Sequence, residues 1–282
     1  EGTTEHFKEF MNVCNISEKE LIQKTDATFK YGVMFQDWTS QDYLQFPDLN
    51  HRWKIGPYEA YYAYNISHNI SFEQMMEKNL WNKRLTPGHS CNQYHFNTFK
   101  LNDFLLDKAA GMEIKITEDK IKSVSIKDGI DILQGEKRKY QADFYIDATG
   151  FKRLLVSKLG ARWESFNLPM NEAIAFQTPD TENYNTWTLA KAMTAGWLWR
   201  IPTYGRWGNG YVYDNHYMNK EKAQKEVEKY LGHSITISKH LKFDAGALKQ
   251  VWIKNCVAIG LSATFAEPLE ASSIGTTILI LN

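Results

Sequence analysis

The stretch Gly196-Trp197-Leu198-Trp199-Arg200-Ile201-Pro202 decides how this chain is read. Tryptophans two residues apart point to one side of an extended strand, and the Ile-Pro step then ends the run. Tyr211-Val212-Tyr213 is a second strand, and Gly208-Asn209-Gly210 between the two carries the Asn-Gly step of a hairpin turn. Asn219 is placed to cap an amphipathic helix that Gly232 closes.

Upstream, Thr3 or Thr4 is placed to cap a helix whose apolar positions Phe7, Phe10, Met11 and Cys14 recur at helical spacing. Ser17-Glu18-Lys19-Glu20 is a capping box ahead of Leu21 and Ile22. The period then changes to two. Phe29, Tyr31, Val33 and Phe35 share one face of a strand, with Thr28, Lys30, Gly32 and Met34 on the other. Residues 39–89 are rich in Tyr, Trp, Asn and Pro without clean periodicity and read as an irregular insertion. The pattern predicts a helix over 96–109, short strands over 112–116, 121–126 and 130–133, and a strand Ala142–Ile146 ending in Asp147-Ala148-Thr149-Gly150. Cys256 to Gly260 is the last strand, with a helix after Pro268. Together these predict an α/β fold with an added mixed or antiparallel sheet.

The 282 residues, 43% of them hydrophobic, can bury about three-quarters of the surface an unfolded chain exposes. Lys+Arg and Asp+Glu both number 33, so no net field draws nucleic acid or an anionic membrane. No apolar run approaches the ~18 residues of a membrane span. Cys14, Cys91 and Cys256 are far apart and odd in number, which argues against a disulfide framework and for a reducing cytoplasm. The Asn-Ile-Ser triplets at Asn15, Asn65 and Asn69 read as chance. His89, Cys91 and His95 read as structural, because no second ligand pair has zinc spacing. Starting at Glu1 and stopping within an apolar run, the sequence reads as a segment of a longer protein.

Three more stretches carry chemistry. Most lysines are exposed, but Lys30 projects from a strand with Gly32 leaving room beside it. Held there, a lysine can donate a hydrogen bond or, desolvated, act as a nucleophilic amine. Phe265 to Gly275 reads as a strand feeding a turn whose Pro268 starts a helix, and the amides of such a start form an anion site. Glu270 there is also a helix N-terminal acid stabilised by the dipole. Asp147 to Leu155 reads as a strand end where Gly150 lets the backbone approach a ligand.

In this order the four stretches resemble those of the flavin-dependent halogenases, typified by the tryptophan halogenases, and the resemblance covers nearly the whole chain. Trp197, Trp199, Ile201 and Pro202 are similar to the family's wall between flavin and organic substrate. Ala27-Thr28-Phe29-Lys30 with Asp37-Trp38 resembles the segment holding its catalytic lysine, which makes Lys30 the residue that takes up hypohalous acid. Glu267 to Ser273 resembles the Glu-Pro-Leu-Glu-Ser-Thr-Gly string, which makes Glu270 the catalytic carboxylate and Ser272 and Ser273 the halide-binding amides. Ala271 stands where the family has serine and Ser273 where it has glycine. The flavin-binding residues so implied are Glu1, Gly2, Thr3, Asp147, Gly150, Phe151, Ser262 and Ile274. A Gly-x-Gly-x-x-Gly loop is expected roughly forty residues before Glu1.

The resemblance implies an FAD-binding, Rossmann-like domain of flavin monooxygenase type, from residues 1–38, 90–165 and 250–282. The substrate side, an interleaved mixed or antiparallel sheet region, is 39–89 and 166–249. FADH2 from a separate NAD(P)H-dependent flavin reductase, O2 and chloride, bromide or iodide would halogenate a small electron-rich aromatic, indole- or phenol-like. Gln45-Phe46 is the nearest counterpart to the His and Phe that flank the indole in tryptophan halogenases. No metal, nucleic acid or membrane is implied, and a homodimer is left open. The rivals are a flavin monooxygenase on a related fold, which needs no Lys30, and a non-catalytic binding module.

Overall fold

The computed structural model describes residues 2–4, 6–30, 32–45, 93–181, 186–267, 269 and 272–281. They fall into two compact units, one of residues 1–104, 170–242 and 269–271, the other of 105–169, 243–268 and 272–282. This division by compactness groups residues 1–38 with the tryptophan strand, whereas the division by function expected from the resemblance separates them.

The first unit holds a seven-stranded sheet. From edge to edge its strands are Ile237–Lys242, Glu172–Pro179, Arg206–Tyr213, Gly196–Thr203, Thr188–Met193, Val33–Gln36 and Tyr43–Gln45. Every neighbouring pair is antiparallel except Thr188–Met193 with Val33–Gln36. One face packs Ile174, Phe176, Leu198, Tyr211 and Tyr213 against Ala223 and Val227 of the helix Lys220–Leu231. That helix is capped by the Asn219 side chain and closed by Gly232 at φ 76°, as its sequence predicts.

The hairpin turns elsewhere than expected. Thr203 pairs with Arg206 around Tyr204-Gly205, with Gly205 at φ 83°, and Gly208-Asn209-Gly210 lies inside the second strand. Gly210 stands opposite Trp199, and a Cβ there would fall on ring carbons Cζ2 and Cη2 of that indole. Its glycine makes room for a ring, not for a turn.

The strand expected over Thr28 to Phe35 is two strands. Thr28–Phe29 pairs antiparallel with Tyr94–His95, whereas Val33–Gln36 joins the large sheet, so the chain changes partners between them. The Glu18–Thr25 helix opens with the predicted capping box of Ser17 and Glu20. The His6–Val13 helix buries Phe7 and Met11, but neither threonine caps it. Thr3 Oγ1 accepts from Tyr94 N at 2.9 Å, and Thr4 Oγ1 has no partner among the described residues.

In the second unit, Cys256–Ala258 lies parallel to Tyr145–Asp147 and antiparallel to Trp252–Ile253. Ile121–Ile126, Ile130–Gly135 and Lys139–Tyr140 form a meander. Thr264–Phe265, Gly246–Leu248 and Trp163–Ser165 form a third sheet. Tyr145, Leu155, Val156, Leu248, Cys256 and Ala258 make the core. Residues 112–116 are not a strand. The helix Thr98–Gly111 runs further than expected, and the amides of Met112 and Ile114 turn back to the Ala109 carbonyl. Most of the expected insertion, residues 46–89, lies outside the described residues.

Candidate active site

Trp197 and Trp199 project from the sheet face away from the helix, their ring centroids 5.9 Å apart and tilted by 54°. The register sets small residues beside them: Ala192 pairs with Trp197, and Ala190 and Gly210 with Trp199. Trp197 is buried and Trp199 half-buried. Ile201 shares their face, by the alternation of the strand. Pro202 lies beyond Arg200, the last residue to pair with Thr188–Met193, so its missing N–H breaks no ladder bond on that side. Its carbonyl accepts instead from Thr28 Oγ1 at 2.7 Å, which ties the tryptophan strand to the Lys30 segment.

Lys30 N donates to Gln93 O at 3.0 Å, continuing the Thr28–Phe29 ladder by one step. Phe29 and Tyr94 pack on one face of that ladder, their ring centroids 5.9 Å apart. Alternation puts Thr28, Lys30, Gln93 and His95 on the other, and all four are buried. Lys30 is 3% exposed, and its Nζ donates to Thr3 O at 2.9 Å. Thr3 is fixed in turn, since its N donates to Tyr94 O at 2.9 Å and Gly2 bridges to His95. A buried ammonium is costly unless it is hydrogen-bonded, so the fold builds this position for it. Nearby in sequence, Trp38 Nε1 donates to Ala190 O at 2.9 Å and Asp37 pairs with Lys191, whose pKa burial lowers.

In the second unit Asp147 is fully buried. It accepts from Thr149 N and Oγ1, from Leu155 N at 2.8 Å and from Val156 N at 2.9 Å. Burial pushes its carboxyl pKa up, but these hydrogen bonds outweigh burial and hold it below the usual value. Ser262 Oγ donates to Gly150 O at 3.0 Å. Asp147 and Ser262 thus shape the Gly150 turn. Gly150 itself is at φ 67°, and among the described residues beyond its chain neighbours no heavy atom lies within 4 Å of where a Cβ would project. Phe151, 42% exposed, stands beside it with its ring edge-on to Phe265 at 5.3 Å. An open backbone next to an exposed ring fits a flat dinucleotide lying against the main chain.

The Ser272–Leu281 helix begins at the two expected halide-binding residues, and first-turn amides have no acceptor within their own helix. Ile274 is half-buried in that first turn. Glu1, Pro268, Glu270 and Ala271 lie outside the described residues, as do His89 and Cys91. Among the described residues no group of His, Cys, Asp and Glu could hold a metal ion, and no helix is long and apolar enough to cross a membrane. His95 was read from sequence only as a structural residue. The polar–apolar alternation of Gln93-Tyr94-His95-Phe96 is the signal that puts it opposite Thr28, on the same face as Lys30.

Within this unit a buried lysine is thus tied, through Thr28, to the strand that carries the paired indoles. The chain matches the tryptophan halogenase family over residues 1–281 and belongs to it. It is 27% identical to the 7-chloro-L-tryptophan 6-halogenase KtzR of Kutzneria sp. strain 744, over 97% of this chain and 62% of that protein. Among solved structures, it is similar to the tryptophan 6-halogenase SttH of Streptomyces toxytricini, at 27% identity and TM-score 0.83, over 98% of this chain and 60% of that one. Xcc4156, a flavin-dependent halogenase from Xanthomonas campestris, gives 27% identity and TM-score 0.83 over 100% of this chain and 61% of that one. The chain thus spans about 60% of the length of these relatives. The fold is the α/β fold of the flavin-dependent halogenases, with the mixed and antiparallel sheets that the sequence implied.

Proposed function

We propose that the protein of which this chain is part is a flavin-dependent halogenase acting on an electron-rich aromatic ring, indole- or phenol-like. The observation that carries this is Lys30: buried, held on the Thr3 carbonyl, and one turn of ladder from the Thr28 hydroxyl that binds the Trp197/Trp199 strand. Residues 1–38, 90–165 and 250–282 serve the flavin, and 39–89 and 166–249 the substrate. The Gly150 turn, shaped by Asp147 and Ser262, would hold FAD with Phe151, Ile274 and the Glu1-Gly2-Thr3 stretch. Bound FADH2 with O2 supplies the oxidation that makes hypohalous acid: FADH2 + O2 + X⁻ + H⁺ gives FAD + HOX + H2O. Ser272 and Ser273 amides hold the halide, and the two indoles keep the aromatic substrate apart from the oxidant. The Lys30 ammonium donates a hydrogen bond to the oxygen of hypohalous acid and polarises its bond to halogen. The ring carbon takes the halogen, the oxygen leaves as water with a proton from the Lys30 ammonium, and Glu270 receives the ring proton and passes it back to Lys30, which restores both groups. A separate NAD(P)H-dependent reductase supplies FADH2, and the cytoplasm is the site of action.

The test supplies full-length protein with FAD, a flavin reductase, NADH and bromide, and screens indoles and phenols by mass spectrometry. A bromine isotope doublet that disappears in Lys30→Ala supports the reading. Oxygenated product without bromine, retained in Lys30→Ala, replaces it with a monooxygenase.

A further inference from the structure

The polar face shared by Thr28, Lys30, Gln93 and His95 is buried throughout, and such a face persists only where its groups are held. His95 is 0% exposed. Its Nδ1 lies 3.4 Å from Thr28 Oγ1 and its Nε2 2.9 Å from Thr188 Oγ1. Thr28 has one hydroxyl proton, and Pro202 O receives it at 2.7 Å. Toward the ring Thr28 therefore accepts, which assigns the proton of a neutral imidazole to Nδ1 and leaves Nε2 to accept from Thr188.

The result is a continuous chain from Pro202 through Thr28 and His95 to Thr188. It joins three segments: the tryptophan strand, the Lys30 ladder, and the start of the strand that pairs with both Gly196–Thr203 and Val33–Gln36. Lys30 sits two residues from Thr28, on the same face of the ladder. We propose that His95 is a positioning residue for Lys30, fixing the lysine's ladder against the tryptophan strand so that the ammonium meets hypohalous acid where the substrate ring lies. The role rests on the halogenase reading above. His95 touches no reacting atom in it and acts only through Lys30.

The experiment uses full-length protein, FAD, NADH, a flavin reductase, bromide and indole. It reads hypobromous acid captured by an added dione, brominated indole, and, without flavin, the rate at which an amine-acylating reagent labels Lys30. His95→Leu is expected to keep the hypobromous acid while brominated indole per hypobromous acid falls about 100-fold, the cost of misplacement by about 1 Å. Lys30 in that variant is labelled faster than in wild type, with other lysines unchanged. Thr28→Val and Thr188→Val, each removing one hydroxyl, lower the ratio about tenfold. His95→Asn, whose amide can still donate to Thr28, restores part of it. If His95→Leu does not fold, the two valine variants decide. A wild-type ratio and a wild-type labelling rate in all folded variants overturn the role of His95 and leave the halogenase reading standing. Wild-type protein that yields neither hypobromous acid nor bromoindole overturns that reading, and the role with it.

Discussion

The two faces of the seven-stranded sheet come from the same strands and follow opposite packing rules. On the helix face, large side chains interlock, Leu198, Tyr211, Tyr213 and Phe176 against Ala223 and Val227. Their polar ends are held too: Tyr211 donates to Glu226 at 2.9 Å and Tyr213 to Glu172 at 3.0 Å. On the other face two indoles stand among Ala190, Ala192 and Gly210, and the register carries the aromatic strip on to Phe35, stacked on Tyr43 at 4.8 Å. Interlocking large side chains holds the first face together, whereas on the second face small residues make room for the rings themselves, and under the proposed function those rings wall off the substrate. Substitutions on the first face should therefore register as stability, and those on or beside the second as chemistry.

The sharpest separation is expected at Lys30, whose ladder hangs from Pro202 of the tryptophan strand. Lys30→Met should lower bromination by about 10²- to 10⁴-fold, the range for a positioned proton-donating group, while hypobromous acid still forms. Product yield and a hypohalite trap read the two together. Bromination at the wild-type rate would remove the chemical meaning of the whole face.

Next comes a pure stability effect from the helix face. Glu172 is 5% exposed and accepts from Lys242, Asn215, His240 and Tyr213. Burial pushes its pKa up, but these partners outweigh burial and bring it down to about 2. A depressed carboxyl pKa gives stability that is full above the unfolded value of about 4.3 and is lost as pH falls through about 2. Glu172→Gln should lose about 3 kcal/mol at pH 7, with the gap to wild type closing between pH 4 and pH 2. Thermal unfolding across that range measures it, and bromination per folded molecule at pH 7 should not move.

Gly210→Ala tests the second face directly. The added methyl falls on the Trp199 ring and 2.7 Å from the Ile174 carbonyl oxygen, so the indole must turn and the neighbouring strand give way, at about 1–3 kcal/mol of stability. Bromination should fall relative to hypobromous acid formed, and by more than any helix-face substitution of equal stability cost.

Local features were legible in the sequence where one signal had one cause. The Ser17 capping box, the Asn219–Gly232 helix and the side-sharing of Trp197 and Trp199 follow from short-range rules, and each stands in the structure. The features misread had two competing causes. Asn209-Gly210 has the chemistry of a turn, but Gly210 answers a ring across the ladder, a contact no local pattern contains. The alternation of Thr28 to Phe35 is continuous, yet its halves pair with partners far apart in sequence. Met112 to Ile116 alternate as a strand would, but their first amides close a helix. In the site, the motifs named Lys30 and Asp147. That Asp147 serves its own turn required its hydrogen bonds, and that His95 shares the buried face of Lys30 required the ladder register.

The smallest effect is expected at Tyr211, and it is the cleanest check on the comparison because the residue neighbours Gly210 in sequence and points the other way. Burial and the adjacent Glu226 raise its phenol pKa well above the usual value, so the hydroxyl stays protonated at every working pH. It donates to Glu226 Oε2 and accepts from Ala195 N at 3.1 Å. Tyr211→Phe removes both bonds but keeps the ring, so the loss should be about 1 kcal/mol and constant between pH 6 and pH 9. The ratio of brominated product to hypobromous acid should match wild type. A drop in that ratio comparable to that of Gly210→Ala would mean that strain passes through the strand from one face to the other. The two faces would then have to be treated as one cooperative layer.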